Sequence, residues 1–212
     1  MTTVIIAEKP SVANELAKYL GHAQRADGYI SVGNYRVTWC FGHLLTLAEP
    51  HVYDEKYKKW RANDLPILPP DIKVIAKDDA GIRKQLKIIG GLLKEADDVI
   101  HAGDPDREGQ LLVDWVLQHH KNRKPVKRLW LAAQDSVSIQ KALRNLQSNL
   151  QYAPLFQAAQ TRSIADWLVG INLSRAFTLA AQKHGYRSVV SIGRVQTPTL
   201  ALIAMRDHDI ET

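Results

Sequence analysis

Asp104, Asp106 and Glu108 stand at alternate positions in His101-Ala102-Gly103-Asp104-Pro105-Asp106-Arg107-Glu108-Gly109, between an apolar run suited to a strand and an amphipathic stretch suited to a helix. Residues two apart project to one side of an extended chain, and positions 104 and 108 share a face once the chain turns helical, so all three carboxylates can converge. Like charges that close need a shared proton or a bound cation, and hard oxygen donors suit Mg²⁺, with waters and phosphates completing its octahedron. The segment is therefore a candidate Mg²⁺ site. With 22 Asp and Glu in 212 residues, such a triplet arises by chance roughly 0.2 times per chain of this length, so context must carry the rest.

A second candidate follows the first apolar run. Glu8-Lys9 comes directly after Val4-Ile5-Ile6-Ala7, and in an open parallel sheet ligands collect at the carboxyl ends of strands. Glu8 would add a carboxylate able to exchange protons, and Lys9 a cation for a phosphate whose charge must be stabilised during transfer. The plainer reading of the pair is a solvated strand end. Gly103 and Gly109 permit close backbone approach, and Arg107 either contacts phosphate or screens the acids. No Gly-x-x-x-x-Gly-Lys-Ser/Thr segment occurs, so strand chemistry here is expected to run without ATP.

The elements that must position these residues alternate. Val4 to Ala7 reads as a buried strand, and Pro10-Ser11 starts a helix that ends before Gly21. Tyr29 to Val32 and Tyr35 to Cys40 flank Gly33-Asn34, a hairpin signal. After three prolines between Leu65 and Asp71, Ile72 to Ala76 looks like a strand, and Ile82, Leu86, Ile89 and Leu93 recur at helical spacing. Val99-Ile100 leads into the acidic loop. Leu111, Leu112, Trp115 and Val116 form one stripe of the next helix, Val126 to Leu131 resembles a strand, and a helix starts near Asp135. The fold class is α/β, a mostly parallel sheet covered on both faces. Beyond about residue 150 helical periodicity takes over, marked by Ile164, Trp167, Leu168 and Ile171, then by Pro198, Leu200 and Ile203.

Composition sets the outer bounds. The chain can hold a full domain and part of another. A net charge of +6 permits an anionic partner. The single cysteine, Cys40, excludes an intrachain disulfide or a Cys-based zinc ribbon and reads as a buried core residue. No run approaches the roughly 18 apolar residues of a membrane span. A cytoplasmic protein without membrane contact is expected.

Five blocks in order give a more specific signal: Ile6-Ala7-Glu8-Lys9-Pro10-Ser11, Gly42-His43-Leu44, Ala102 through Val113, Ala165-Asp166-Trp167-Leu168-Val169-Gly170-Ile171-Asn172, and Ile192-Gly193-Arg194-Val195-Gln196-Thr197-Pro198. Together they resemble bacterial topoisomerase III, within the type IA DNA topoisomerase family, over essentially the whole chain. The resemblance implies a Rossmann-like Toprim domain over residues 1–150 and, over 151–212, the start of a helical domain that holds single-stranded DNA. It implies Mg²⁺ on Asp104, Asp106 and Glu108, a proton donor in Glu8 and a phosphate contact in Lys9. DNA contacts are implied at Arg107, Arg162, Asp166, Ser191, Arg194, Gln196 and Thr197. In this family a tyrosine in a Tyr-Pro-Arg-Thr type motif attacks the phosphodiester. No such motif occurs among the seven tyrosines here, so further domains carrying that tyrosine are expected partners, the fragment alone is expected not to cleave, and the protein is expected to be monomeric. Ile164 stands where several relatives carry a basic residue, which leaves one DNA contact open.

Other classes of reading remain at this stage. A primase or nuclease could share the glutamate and acidic loop, and a standalone single-strand-binding module could share the basic charge. Arg162 and Asp166 could be no more than an i,i+4 pair. Trp39, Trp60, Trp115, Trp130 and Trp167 could offer stacking faces to bases, though most should be core or boundary residues. His119-His120 reads as a wet helix end, and His43 could be structural or catalytic.

Overall fold

The protein is described here by a computed structural model covering residues 1–212. Its chain forms two compact units, Met1–Thr46 with Val74–Gln160, and Leu47–Lys73 with Thr161–Thr212. The units therefore do not divide at one point of the chain. The proline-bearing segment 47–73 groups with the C-terminal helices because its backbone is satisfied there: Asn172 accepts from the Ile67 amide at 2.6 Å and donates to the Ile67 carbonyl at 3.1 Å.

The first unit is built on a seven-stranded sheet in the order β2-β3-β4-β1-β7-β8-β9. Its strands are β1 (Thr3–Ala7), β2 (Gln24–Ala26), β3 (Tyr29–Val32), β4 (Tyr35–Trp39), β7 (Asp98–Ala102), β8 (Val126–Arg128) and β9 (Gln147–Ser148); β5 (Leu45–Leu47) and β6 (Val74–Ala76) pair separately. The central strands β4, β1, β7 and β8 run parallel, and β2, β3 and β9 add antiparallel edges. The hairpin expected at Gly33-Asn34 is present, with Gly33 at φ 53°. β6 and β8 are shorter than their apolar runs suggested.

Alternation along β1 and β7 buries both faces of the sheet. Ile5, Ala7, Ile100 and Ala102 pack with α1 (Pro10–Leu20) and α4 (Ser136–Arg144) through Val12, Leu16 and Ile139. Val4, Ile6, Val99 and His101, on the opposite side, are fully buried as well. α2 (Ala80–Glu95) caps its N-terminus with Asp79, which accepts from Ile82 N at 2.9 Å. Gln85 on α2 donates to the Trp39 carbonyl at 2.8 Å. Cys40 is buried as expected, its thiol pushed above its usual range by that burial.

Two expectations need correction. α3 (Arg107–His119) does not bury a single stripe: every residue from Gly109 to Leu117 is buried. Its second face covers a polar cluster around Gln110 and Asp114 that an apolar pattern cannot reveal. Nor is His120 at a wet helix end. Its ring lies against Gly90 of α2, where an added Cβ would come within 2.8 Å, and burial lowers its pKa.

In the second unit, the C-terminal part of α5 (Ala153–Gln182) holds an extended segment by its hydroxyls. Ser174 Oγ accepts from Ile192 N at 2.9 Å, and Thr178 Oγ1 accepts from Val190 N at 2.9 Å. Arg175 donates to the Tyr57 carbonyl at 2.9 Å with its guanidinium 5.1 Å from the Trp60 ring. α6 (Gln196–Glu211) buries none of its residues. Gly90→Ala should place a methyl group against His120 and cost about 1–3 kcal/mol, read as a shift in the denaturation midpoint at unchanged slope.

Candidate functional site

The sheet register builds the first site. Ala7 of β1 lies opposite Ala102 of β7, so both strands end level and the next residues, Glu8 and Gly103-Asp104, emerge side by side. Glu8 Oε2 accepts from the Asp104 amide at 3.1 Å. Lys9 Nζ lies 2.6 Å from Asp104 Oδ2 and 3.7 Å from Glu8 Oε1. This closeness requires glycine. A Cβ at Gly109 would meet the Asp104 backbone at 2.5 Å and Glu8 Oε2 at 2.7 Å, and one at Gly103 would meet the Gly109 carbonyl at 2.2 Å.

The acidic triplet behaves differently from the expectation that all three oxygens converge. Asp106 is the N-cap of α3, its Oδ1 accepting from Gly109 N at 2.7 Å. The extended alternation stops there. Glu108, already in the first helical turn, reaches His43 at 3.8 Å and is mostly exposed. No three acidic, His or Cys side chains group as a metal site. The carboxylates that act on Glu8 are those of Asp104 and Asp106. Arg107 begins α3 and is exposed.

Electrostatics gives these groups distinct roles. The Glu8 carboxyl is held above its usual value of 4.5, mainly by burial and further by Asp104 and Asp106; the Asp104 amide and Lys9 oppose this. Lys9 is raised by its hydrogen bond to Asp104. A carboxyl whose proton affinity is raised, beside an ammonium that can bind phosphate, is suited to donate to a leaving oxygen. Glu8, Asp104 and Asp106 are hard oxygen donors of the type a divalent cation takes, but their side chains do not group as a three-ligand site.

Sequence reading missed the support beneath. Arg128 is fully buried, and its guanidinium donates to the carbonyls of Gly103, Leu129 and Asp104 at 2.8, 2.7 and 2.8 Å. Its Nε donates to Gln110 Oε1 at 2.8 Å; Gln110 in turn donates to Asp114 at 2.7 Å and Asn149 at 2.9 Å. His101 Nδ1 accepts from Gly103 N at 3.2 Å, leaving Nε2 to donate to the Gln110 carbonyl at 3.2 Å. Burial and then Arg128 lower the His101 pKa to about 3. In the sequence these residues appear only as isolated polar positions, His101, Gln110, Asp114 and Arg128, in three separate elements.

The second unit gathers another set. Asp166 on α5 takes Arg194 Nε at 2.6 Å and Arg162 Nε at 3.7 Å, so two guanidiniums share one carboxylate, all about two-fifths exposed. Thr197 Oγ1 accepts from Gly193 N at 3.0 Å, and Gln196 stands at the start of α6. Ser191 is exposed between Val190 and Ile192, the residues tied to α5.

Comparison with known proteins finds two family matches, whose bounds differ from those of the two compact units because segment 47–73 falls within the first match. The Toprim domain family matches residues 3–133, and a DNA topoisomerase family matches residues 151–212. DNA topoisomerase 3 of Vibrio cholerae is 46% identical over 217 residues, covering 100% of this chain and 33% of that protein. DNA topoisomerase 3 of Bacillus subtilis is 40% identical over 211 residues, covering 99% and 28%. Full-length topoisomerase I from Thermotoga maritima shares the fold with a TM-score of 0.64 at 23% identity, over 98% of this chain and 30% of that one. The chain spans about a third of the length of the curated relatives it matches.

Two outcomes follow for the first site. Because the folded-state pKa of Glu8 is raised, its stabilising contribution is complete below its usual value of 4.5 and is lost as pH rises through the raised folded value. Without divalent metal, Glu8→Gln should therefore gain stability relative to the parent between pH 4 and pH 7; an unchanged difference in melting temperature across that range would contradict the burial argument. Arg128→Met should cost about 1–3 kcal/mol for each carbonyl it strands, and amide hydrogen exchange should quicken first in residues 103–110.

Proposed function

We propose a function from the premise that this chain belongs to the Toprim family and is homologous to the N-terminal part of bacterial DNA topoisomerase 3: it supplies the acid site and part of the DNA grip of an ATP-independent type IA topoisomerase. The observation that carries the reading is the assembly of Glu8, Lys9 and Asp104 at the level ends of two parallel strands. Residues 1–150 act as the Toprim domain and 151–212 as the start of the helical DNA-holding domain.

In the reaction, a tyrosine from a later domain releases its hydroxyl proton to solvent as its oxygen bonds to phosphorus, the bond to the 3′-oxygen breaks, and the leaving oxygen takes a proton. Glu8 is suited to give that proton because its carboxyl stays protonated above its usual range. Lys9, mostly exposed and cationic, neutralises a non-bridging phosphate oxygen. Asp104 and Asp106 would hold Mg²⁺ with Glu8 nearby, and Glu108 would join them only by leaving His43. The ion, when bound, supplies charge stabilisation to the phosphodiester. Arg162 and Arg194 exceed the charge of their shared Asp166 and suit a phosphate backbone; Ser191, Gln196, Thr197 and Arg107 are assigned to strand contacts. Resealing reverses these transfers, and no ATP is needed because the covalent link conserves the bond energy.

Partner domains are expected on α6 for a physical reason. Leu200, Leu202, Ile203, Met205 and Ile210 are all more than half exposed, and a 16-residue helix without tertiary packing is marginal in water. Single-stranded DNA is the proposed substrate, the bacterial cytoplasm the proposed location and a monomer the proposed state. No helix is long and apolar enough to cross a membrane. A primase or nuclease reading would leave the match over residues 151–212 without a role.

The deciding experiment uses the full-length protein. Mg²⁺ titration by calorimetry should show saturable binding that Asp104→Asn/Asp106→Asn abolishes, and Glu8→Gln should slow plasmid relaxation about 100-fold or more. Mg²⁺-independent relaxation, or full activity in Glu8→Gln, would remove these roles. Arg194→Ala should lower the slope of log affinity for single strands against log salt by about 0.7; an unchanged slope would take Arg194 off the backbone.

A further inference from the structure

The first unit opens a cleft of about 440 Å³ lined by Trp130, Tyr152, Ser138, Lys141, Asn145 and Gln147, among others. Trp130 and Tyr152 stack with ring centroids 5.1 Å apart at 18°, yet Trp130 remains 39% exposed. A tryptophan left that open on a well-packed domain is apolar surface awaiting cover.

Charge narrows what the cover can be. The Arg128 guanidinium lies 4.9 Å from the Trp130 ring and 5.7 Å from the Tyr152 ring. Its hydrogen bonds all run to backbone carbonyls and an amide oxygen, none to a carboxylate. Lys141 and Arg144 add exposed cations from the last turn of α4, a helix with no acidic residue. The cleft thus joins a stacking face to positive potential and to exposed amide side chains. That combination suits a planar heteroaromatic base carried on an anionic backbone.

Its position is equally specific. The guanidinium beneath the rings also donates to the Asp104 carbonyl at 2.8 Å, so one buried side chain ties the acidic loop to the two aromatic residues that line the cleft. We propose that this cleft binds an unpaired nucleobase of the DNA strand, stacked on Trp130 and Tyr152, with the adjoining phosphate against Lys141. The inference rests on single-stranded DNA being the substrate, and it adds a base-holding subsite on the Toprim unit to the contacts assigned to the helical one.

The test scans 5-iodouracil along a short oligothymidylate and maps photocrosslinks on the full-length protein by mass spectrometry. At one position the crosslink should fall on Trp130 or Tyr152. Trp130→Leu should weaken binding of the same oligonucleotide about five- to 100-fold. Lys141→Gln, an exposed change that leaves the core intact, should lower the salt slope by about 0.7. Unchanged affinity in both variants, with no crosslink to either ring while Arg194→Ala still weakens binding, overturns the subsite and leaves the proposed function standing. Failure of the parent protein to bind the oligonucleotide overturns both.

Discussion

A buried guanidinium holds the acid site in place. Arg128 reaches under the loop between β7 and α3 and takes the carbonyls of Gly103 and Asp104. The Asp104 carbonyl also takes the Asp106 amide, but the buried Gly103 carbonyl would otherwise be left without a partner. A loop turning sharply between a strand and a helix leaves carbonyls unpaired. A neutral amide could satisfy one or two, whereas five N–H groups in a fixed fork satisfy several and hold their spacing. Burial lowers the pKa of Arg128 to about 10, which leaves it charged at neutral pH. Everything above it inherits that rigidity, including the Asp104 amide offered to Glu8 and the carboxylate offered to Lys9.

The two glycines are the steric counterpart of that electrostatic anchor. The loop can lie on the start of α3 only because Gly103 and Gly109 face each other without side chains. Their conformations are not left-handed, so they are required by closeness rather than by backbone angle. Asp106 then completes the turn as N-cap, where a carboxylate gains both an amide hydrogen bond and the favourable end of the helix dipole. An acid that starts a helix has one oxygen committed to that task, which is why the alternating triplet does not present three equivalent ligands.

Local chemistry made much of the fold legible. Pro10 starts α1, Asp135 caps α4 through the Val137 and Ser138 amides, and the apolar runs Val4–Ala7 and Val99–Ile100 are the central strands. The pairing of Glu8 with Asp104 was legible too, because strand ends in a parallel sheet share an edge. Arg128 was not. In Val126-Lys127-Arg128-Leu129 it looks like one more surface cation, and its carbonyl partners at Gly103 and Asp104 are remote in sequence. The attachment of segment 47–73 was equally hidden, since Asn172 lies 105 residues from Ile67. Side chains whose partners are distant in sequence leave no periodic trace.

His101 shows how finely the charge under the site is set. Its Nδ1 accepts from Gly103 N, so the neutral tautomer must carry its proton on Nε2, facing the Gln110 carbonyl. A second proton would break the Gly103 contact and put a cation beside Arg128. Burial together with that neighbour makes such a state unfavourable down to a pH of about 3. One fixed cation therefore lies below the loop, and one mobile cation, Lys9, lies on its solvent side. Lys9 can turn from Asp104 toward an incoming phosphate because its ammonium is half exposed to solvent, whereas Arg128 is buried and holds the Gly103 and Leu129 carbonyls. The site separates a permanent charge that shapes it from an exchangeable one that can meet substrate.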